Sequence, residues 1–228
     1  MSATPSTANV FSELVHQRRS VRAFRPDPVP RATIEQLLAL ASQAPSNANT
    51  QPWRVEVVSG ASRDRLSAAL LEDAFANRLS ADIPYLTDDY PQRLLERRAA
   101  HLTLQQAAFG VERTDPTGRK GIIEGNFTFF GAPHVAVLLL PSFGNEREAA
   151  DLGLFAQTFM LALSAHGLAS CPQTALGLFC APIRQQLGIG PDYKVLFAIS
   201  FGYEDVGKRG ARFEQGRAPL EEWVRFID

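Results

Sequence analysis

The sequence predicts an α+β fold, a small sheet wrapped by helices. Three observations carry this. Stretches with helical periodicity outnumber those that read as strands. The strands do not alternate regularly with helices, which argues against a doubly wound sheet. One helical stretch, 151–166, is apolar nearly all round, the profile of a helix packed on several sides.

Taken in order, residues 1–9 are rich in Ser, Thr, Ala and Pro and read as a frayed tail, followed by a single domain over 10–228. Phe11, Leu14 and Val15 recur at helical spacing within 10–17. Pro30 precedes a second helix, about 31–43, with Ile34, Leu37, Leu38 and Ala41 on one face, and "QAPSNANTQP" ends it. "WRVEVVSG" (53–60) alternates and is β-branched, so it reads as a strand. Helices are predicted over 63–78 and 92–109, with a polar loop at 82–91 between them. "GVERTDPTGRKGIIEGNFT" (110–128) reads as a long loop of the kind that serves as a lid, its Arg113, Arg119 and Lys120 as solvated charges. "PHVAVLLLP" (133–141) and "YKVLFAISFGY" (193–203) are buried strands, with the all-round apolar helix and a short helix near 181–187 between them.

Composition bounds the function. The 228 residues carry a formal net charge of -1, with 45% hydrophobic and 21% charged residues, so no global field draws nucleic acid or acidic lipid. The first ten residues lack a basic segment and an apolar run, and the longest apolar run, "VAVLLL", is too short to span a bilayer. A cytoplasmic location is therefore expected. The two cysteines and four scattered histidines have neither metal nor nucleophile spacing, and no GxGxxG, GxxxxGK[ST], HExxH or GxSxG occurs. An enzyme without its own nucleophile or acid–base pair borrows reactive atoms from a cofactor.

Four stretches are candidates for binding one. In "RRSVRAF" (18–24), Arg18, Ser20 and Arg22 project to one side of an extended segment, a geometry suited to a phosphate dianion. The same residues equally describe a solvated helix end whose arginines meet carboxylates elsewhere. "APSNANTQPW" (44–53) concentrates amides suited to the polar edge of a flat heterocycle, where a plain helix-to-strand turn needs only one or two turn residues. In "GLASCPQTALG" (167–177) backbone amides after Pro172 can face a ligand, while Cys171 reads as a small buried hydrophobe. In "NFTFFGAP" (126–133) Phe129 and Phe130 read as core.

Together these stretches resemble the flavin-dependent nitroreductase family. "RRSVRAF" is similar to its R-[RH]-S-x-[RK]-x-F entry segment and "APSNANTQPWRV" to its A-P-S-x-x-N-x-Q-P-W segment, while "NFTFFGAP", "GLASCPQ", "LGIG" and "GYED" follow in order. The resemblance runs from about Phe11 to Asp228 and is nearest to the nitrobenzoate-reductase-like branch, whose chains end in R-A-P-L-x-E-[FW]-V. It implies a small mixed sheet wrapped by helices and an intertwined homodimer with FMN at the subunit interface. Arg18, Ser20 and Arg19 would hold the phosphate, and Arg22 would approach N1 and O2 of the ring. Pro45, Ser46, Asn47 and Asn49 would reach in from the other subunit. Asn126 would bond the pyrimidine edge, and the backbone around Pro172, Gln173, Thr174 and Ala175 would face N5 and O4. The implied activity is ping-pong reduction of a small aromatic acceptor, a nitroarene or quinone, by NADH or NADPH through FMN, with no catalytic side chain and no metal. The same scaffold also hosts dehalogenation, ring-oxidising dehydrogenation and flavin fragmentation, and a non-catalytic flavin-storing or sensing protein and an anion-binding dimer without flavin are the other readings. One departure stands out. Where the branch reads R-T-x-R before "APL", this chain keeps Arg217 but places Glu214 at the earlier position, so that either Arg212 substitutes or the phosphate meets one cation fewer.

Overall fold

The computed structural model describes residues 6–86, 89–112 and 114–227; residues 1–5, two positions of the 82–91 loop, Arg113 and Asp228 lie outside them. The sheet is built from β1 (Arg54–Ser59), β2 (His134–Pro141), β3 (Ala169–Gln173) and β4 (Tyr193–Gly202), in the order β1-β2-β4-β3. All three pairings are antiparallel, and a one-residue bridge between Ser20 and Ser170 adds the parallel element.

Around it lie α1 (Thr7–Gln17), α2 (Arg31–Ala41), α3 (Gly60–Phe75), α4 (Gln92–Phe109), α5 (Pro116–Phe127), α6 (Glu146–Ala165) and α7 (Cys180–Leu187). Strand β2 explains the layering. Its residues are buried from His134 to Leu140 and alternate between two cores. Val135, Val137 and Leu139 join Leu66 and Leu70 of α3, Phe127 of α5 and Ile183 of α7. Ala136, Leu138 and Leu140 join Leu37 of α2 and Leu152, Phe155 and Phe159 of α6. A period-2 strand covered on both faces reads as one continuous apolar run, and each fully buried Val or Leu contributes roughly 1.5–3 kcal/mol.

Three sequence expectations are corrected. Residues 6–9 are not frayed, because Ser6 caps α1 by accepting from the Asn9 amide at 3.2 Å. The 110–128 stretch is not a loop throughout, since Pro116–Phe127 folds into α5. Asp115 caps that helix by accepting from the amides of Thr117 and Gly118 at 3.0 Å, and Pro116 occupies its first turn. Gly118, Gly121 and Gly125 lower its intrinsic propensity, which hid the helix. Gly125 is there for packing, because a Cβ on it would lie 2.8 Å from the Phe130 ring. Finally, 169–173 is a strand that its internal proline concealed. Pro172 is tolerated because β3 lies at the sheet edge.

Elsewhere the expected elements stand, with α6 starting one turn earlier than predicted at an Asn145–Glu148 capping box. Phe129 and Phe130 are buried as expected, on backbone with φ of 58° and 52°. Lys120 is not simply solvated, since it pairs with Glu124 at 3.5 Å and lies over the Phe75 ring.

Candidate functional site

Helix α1 ends at Arg18, whose amide still donates to Leu14, and the chain then runs extended past β3. The Val21 amide donates to the Ser170 carbonyl at 2.9 Å and the Arg22 amide to Ala211 at 2.7 Å. Val21 and Ala23 face inward at 3% and 1% exposure, so alternation turns Arg18, Ser20 and Arg22 to the other side. There, with Arg19, Phe213, Gln215 and Arg217, they line a small cavity of about 50 Å³.

The electrostatics of this cavity are those of an anion site. Burial depresses the Arg18 pKa first, and the cations of Arg217 and Arg19 add to that. Among the described residues the one carboxylate paired in the cluster is Glu214, 3.4 Å from Arg19 and 92% exposed, where solvent screens it strongly. Arg212 does not substitute at the Glu214 position: its guanidinium forks onto Glu204, with Nε at 2.6 Å from the carboxylate. Arg217 is exposed at the cavity rim, Nη1 donating to the carbonyls of Gln215 and Gly216 at 3.1 and 3.0 Å. Four guanidinium groups facing so little negative charge favour a dianion.

Strand β3 leads away from this cluster. From Ser170, beside Ser20, to Gln173 it covers about 10 Å. At its far end the Gln173 side chain, 2% exposed, is committed to the fold: Nε2 donates to the Asn126 carbonyl at 2.8 Å, and Oε1 accepts from Ser200. The Gln173 side chain is therefore not free for a ligand. Asn126 is half-buried beside it, Nδ2 donating to Ile123 at 3.3 Å. Pro172 and Ala175 are half-buried and Thr174 exposed, the last two opening a short 3-10 turn.

The amide loop sits elsewhere. The Asn47 amide donates to the Asp151 carboxylate at 3.1 and 3.3 Å, and Trp53 stacks on Phe155, so the loop is fastened near the start of α6. A neighbouring cavity that shares Arg18 and Arg19 with the arginine cavity is lined by Ser164 and Gly167 at the end of that helix. From Asp151 to Ser164 the axis rises about 20 Å. One chain therefore assembles Arg18, Arg19, Ser20, Arg22 and Arg217, with Asn126 and Pro172, Gln173, Thr174 and Ala175 along β3. Pro45, Ser46, Asn47 and Asn49 face outward at the opposite end. Their loop is held in shape by backbone with positive φ at Ala48, Asn49 and Gln51 and by the Ser46 hydroxyl accepting from the Gln51 amide at 3.0 Å.

Sequence reasoning missed three residues at the cavity. The Arg22 guanidinium lies 4.9 Å over the Phe213 ring, the His101 ring of α4 packs tilted against Phe213 at 5.6 Å, and Gln215 bonds His101. His101 looked like any residue of an exposed helix, and Phe213 and Gln215 were passed over inside "RFEQGRAPL". Cys171, read as a buried hydrophobe, is 1% exposed with its thiol pushed up to about 11 by burial, so it is not a nucleophile.

Comparison with known proteins places this arrangement. The model of the "Nitroreductase family" matches residues 15–203. The chain is 44% identical over 225 residues to nitroreductase NfnB of Mycolicibacterium smegmatis, covering 98% of this chain and 95% of that one. It is 35% identical over 218 residues to a 4-nitrobenzoate reductase of Pseudomonas putida, covering 95% of each. Its fold superposes with a TM-score of 0.94 on the crystal structure of the FMN-dependent nitroreductase NfnB from Mycobacterium smegmatis in complex with NADPH, at 43% identity and covering 98% of this chain and 100% of that one. With the sheet order, the arginine cluster beside the edge strand and these matches over nearly its whole length, the chain belongs to the nitroreductase family.

Proposed function

We propose that this protein is an FMN-dependent NAD(P)H oxidoreductase that reduces nitroaromatic compounds. The carrying observation is the cavity in which Arg18, Arg19, Ser20, Arg22 and Arg217 converge with little opposing charge, in a chain 44% identical to a nitroreductase. FMN, when bound, supplies the two-electron chemistry, accepting hydride from NADPH or NADH and passing it to a nitroarene or, in a broader acceptor range, a quinone.

The chain's own residues do the rest. Arg18, Ser20 and Arg217, with Arg19, grip the phosphate through charge-assisted hydrogen bonds. Arg22 places an uncompensated cation where reduction adds negative charge, which favours the reduced state. The main chain from Pro172 to Ala175, beside Asn126, offers polar groups to the edge of the ring. No nucleophile is required, in keeping with an inert Cys171. Pro45, Ser46, Asn47 and Asn49 lie too far along α6 to join the arginine cluster of their own chain, which supports a homodimer in which they complete the partner's site.

Anaerobic titration of the purified protein tests this. The expected result is a yellow protein bleached by NADPH or NADH and recoloured stoichiometrically by 4-nitrobenzoate. Bound FMN that an excess of either nicotinamide leaves oxidised would point instead to flavin storage or sensing, and protein that takes up no FMN ends the reading.

A further inference from the structure

The way Arg22 is held is unusual for a cation near the protein surface. Its side chain is met by no carboxylate among the described residues. Nη1 donates to the Ser20 carbonyl at 3.1 Å, and the guanidinium lies on the face of Phe213. A carbonyl and a ring fix the group while leaving its charge unneutralised for a ligand. Phe213 is itself held by α4. His101 packs on it at 5.6 Å, and the Gln215 amide, two residues on, donates to His101 Nδ1 at 2.5 Å. Segment 213–215 is thus gripped twice by one side chain of α4, so that His101 touches the ring on which Arg22 rests at the cavity.

We propose that His101 is a positioning residue for Arg22, acting through Phe213 and Gln215, and that it thereby sets how much more tightly the cavity holds reduced than oxidised FMN. The proposal rests on the reading that FMN occupies this cavity with Arg22 beside its ring. Burial and the Arg22 charge both keep His101 neutral, which suits a residue that must accept from Gln215 without repelling the cation it places.

The test uses the FMN-loaded protein and measures dissociation constants for oxidised and anaerobically reduced FMN by flavin fluorescence, together with the midpoint potential. His101→Ala and Phe213→Leu are each expected to lower the reduced-over-oxidised affinity ratio by about three- to tenfold, tenfold being a shift of about 30 mV for this two-electron couple. Arg22→Gln should lower it at least as far, and His101→Ala should add nothing in that background, the signature of action through Arg22. His101→Gln, which keeps an acceptor for Gln215, should recover part of the loss. Ratios within twofold of the parent in both His101→Ala and Phe213→Leu overturn the proposal, as does a His101→Ala shift that persists undiminished beside Arg22→Gln. An unchanged ratio in Arg22→Gln alone shows that Arg22 does not meet the ring and removes the proposal with it, whereas absence of FMN binding to the parent protein defeats the broader functional reading.

Discussion

At the scale of single residues, the site is a balance of charges. Arg18 is half-buried among cations, and in the proposed role its hydrogen bonds to a bound phosphate would be of the charge-assisted kind, worth about 1.5–3 kcal/mol each. Arg18→Ala should therefore weaken FMN binding by about tenfold to a hundredfold in an equilibrium titration, with Ser20→Ala losing less. Glu214 acts in the opposite sense. It rests on Arg19 at 3.4 Å and competes with any incoming anion, so Glu214→Gln should tighten FMN a few-fold at low ionic strength, and added salt should erase the gain. An unchanged affinity at low salt would show that Glu214 stays clear of the phosphate. The opening pattern Arg18–Ser20–Arg22 was readable because extended backbone sends alternate side chains to one face whatever lies around it. Phe213 and His101 were not readable, since their role comes from contacts between segments more than a hundred residues apart.

At the scale of elements, local signals and tertiary packing divide the work. The strand β2 and helix α6 declared themselves through long apolar runs. Helix α5 did not: its Asp115–Pro116 start was present in the sequence, but three glycines spoke against a helix, and only tertiary contacts explain two of them, Gly118 against Asp115 and Val111 and Gly125 under the Phe130 ring. Strand β3 was hidden by Pro172 for the related reason that an edge position cannot be inferred from one strand alone. The turn after β3 carries a sharper constraint. The pairing of β2 with β4 shifts between Leu138 and Leu139, leaving Leu196 without a partner, and a Cβ on Gly177 would lie 2.4 Å from the Leu196 carbonyl. Gly177→Ala must push the 174–178 turn off the strand, with an expected loss of about 1–3 kcal/mol in denaturant unfolding. Because that turn follows Pro172–Gln173 directly, FMN affinity should fall with it. A variant as stable as the parent would mean that the turn yields without cost.

At the scale of the whole molecule, His134 ties three elements. It begins β2, its Nε2 accepts from the Val29 amide ahead of α2 at 2.8 Å, and Nδ1 meets the Ser59 hydroxyl at the end of β1 at 2.5 Å. Burial lowers its pKa, so the folded protein holds it neutral while the unfolded chain protonates it near pH 6.5. The contribution is fully present above that value and is lost as pH falls below it, by up to about 1.4 kcal/mol per pH unit until the folded-state pKa is reached. Melting temperatures should decline from about pH 6.5 downward, and His134→Gln should flatten that slope even though it lowers the plateau. A parent protein whose melting temperature is level between neutrality and pH 5.5 would exclude this. The described residues contain no helix long and apolar enough to cross a membrane.

The span of α6 has a genetic corollary. If each cofactor is clasped by arginines from one polypeptide and by the asparagine hairpin of its companion, two crippled alleles can heal one another. A dimer pairing an Arg18→Ala, Arg22→Ala subunit with an Asn47→Ala, Asn49→Ala subunit concentrates all the damage in one centre and leaves the other whole. Co-expression should therefore restore nitroarene turnover that neither parent possesses, and silence from the mixture would mean that every polypeptide serves itself.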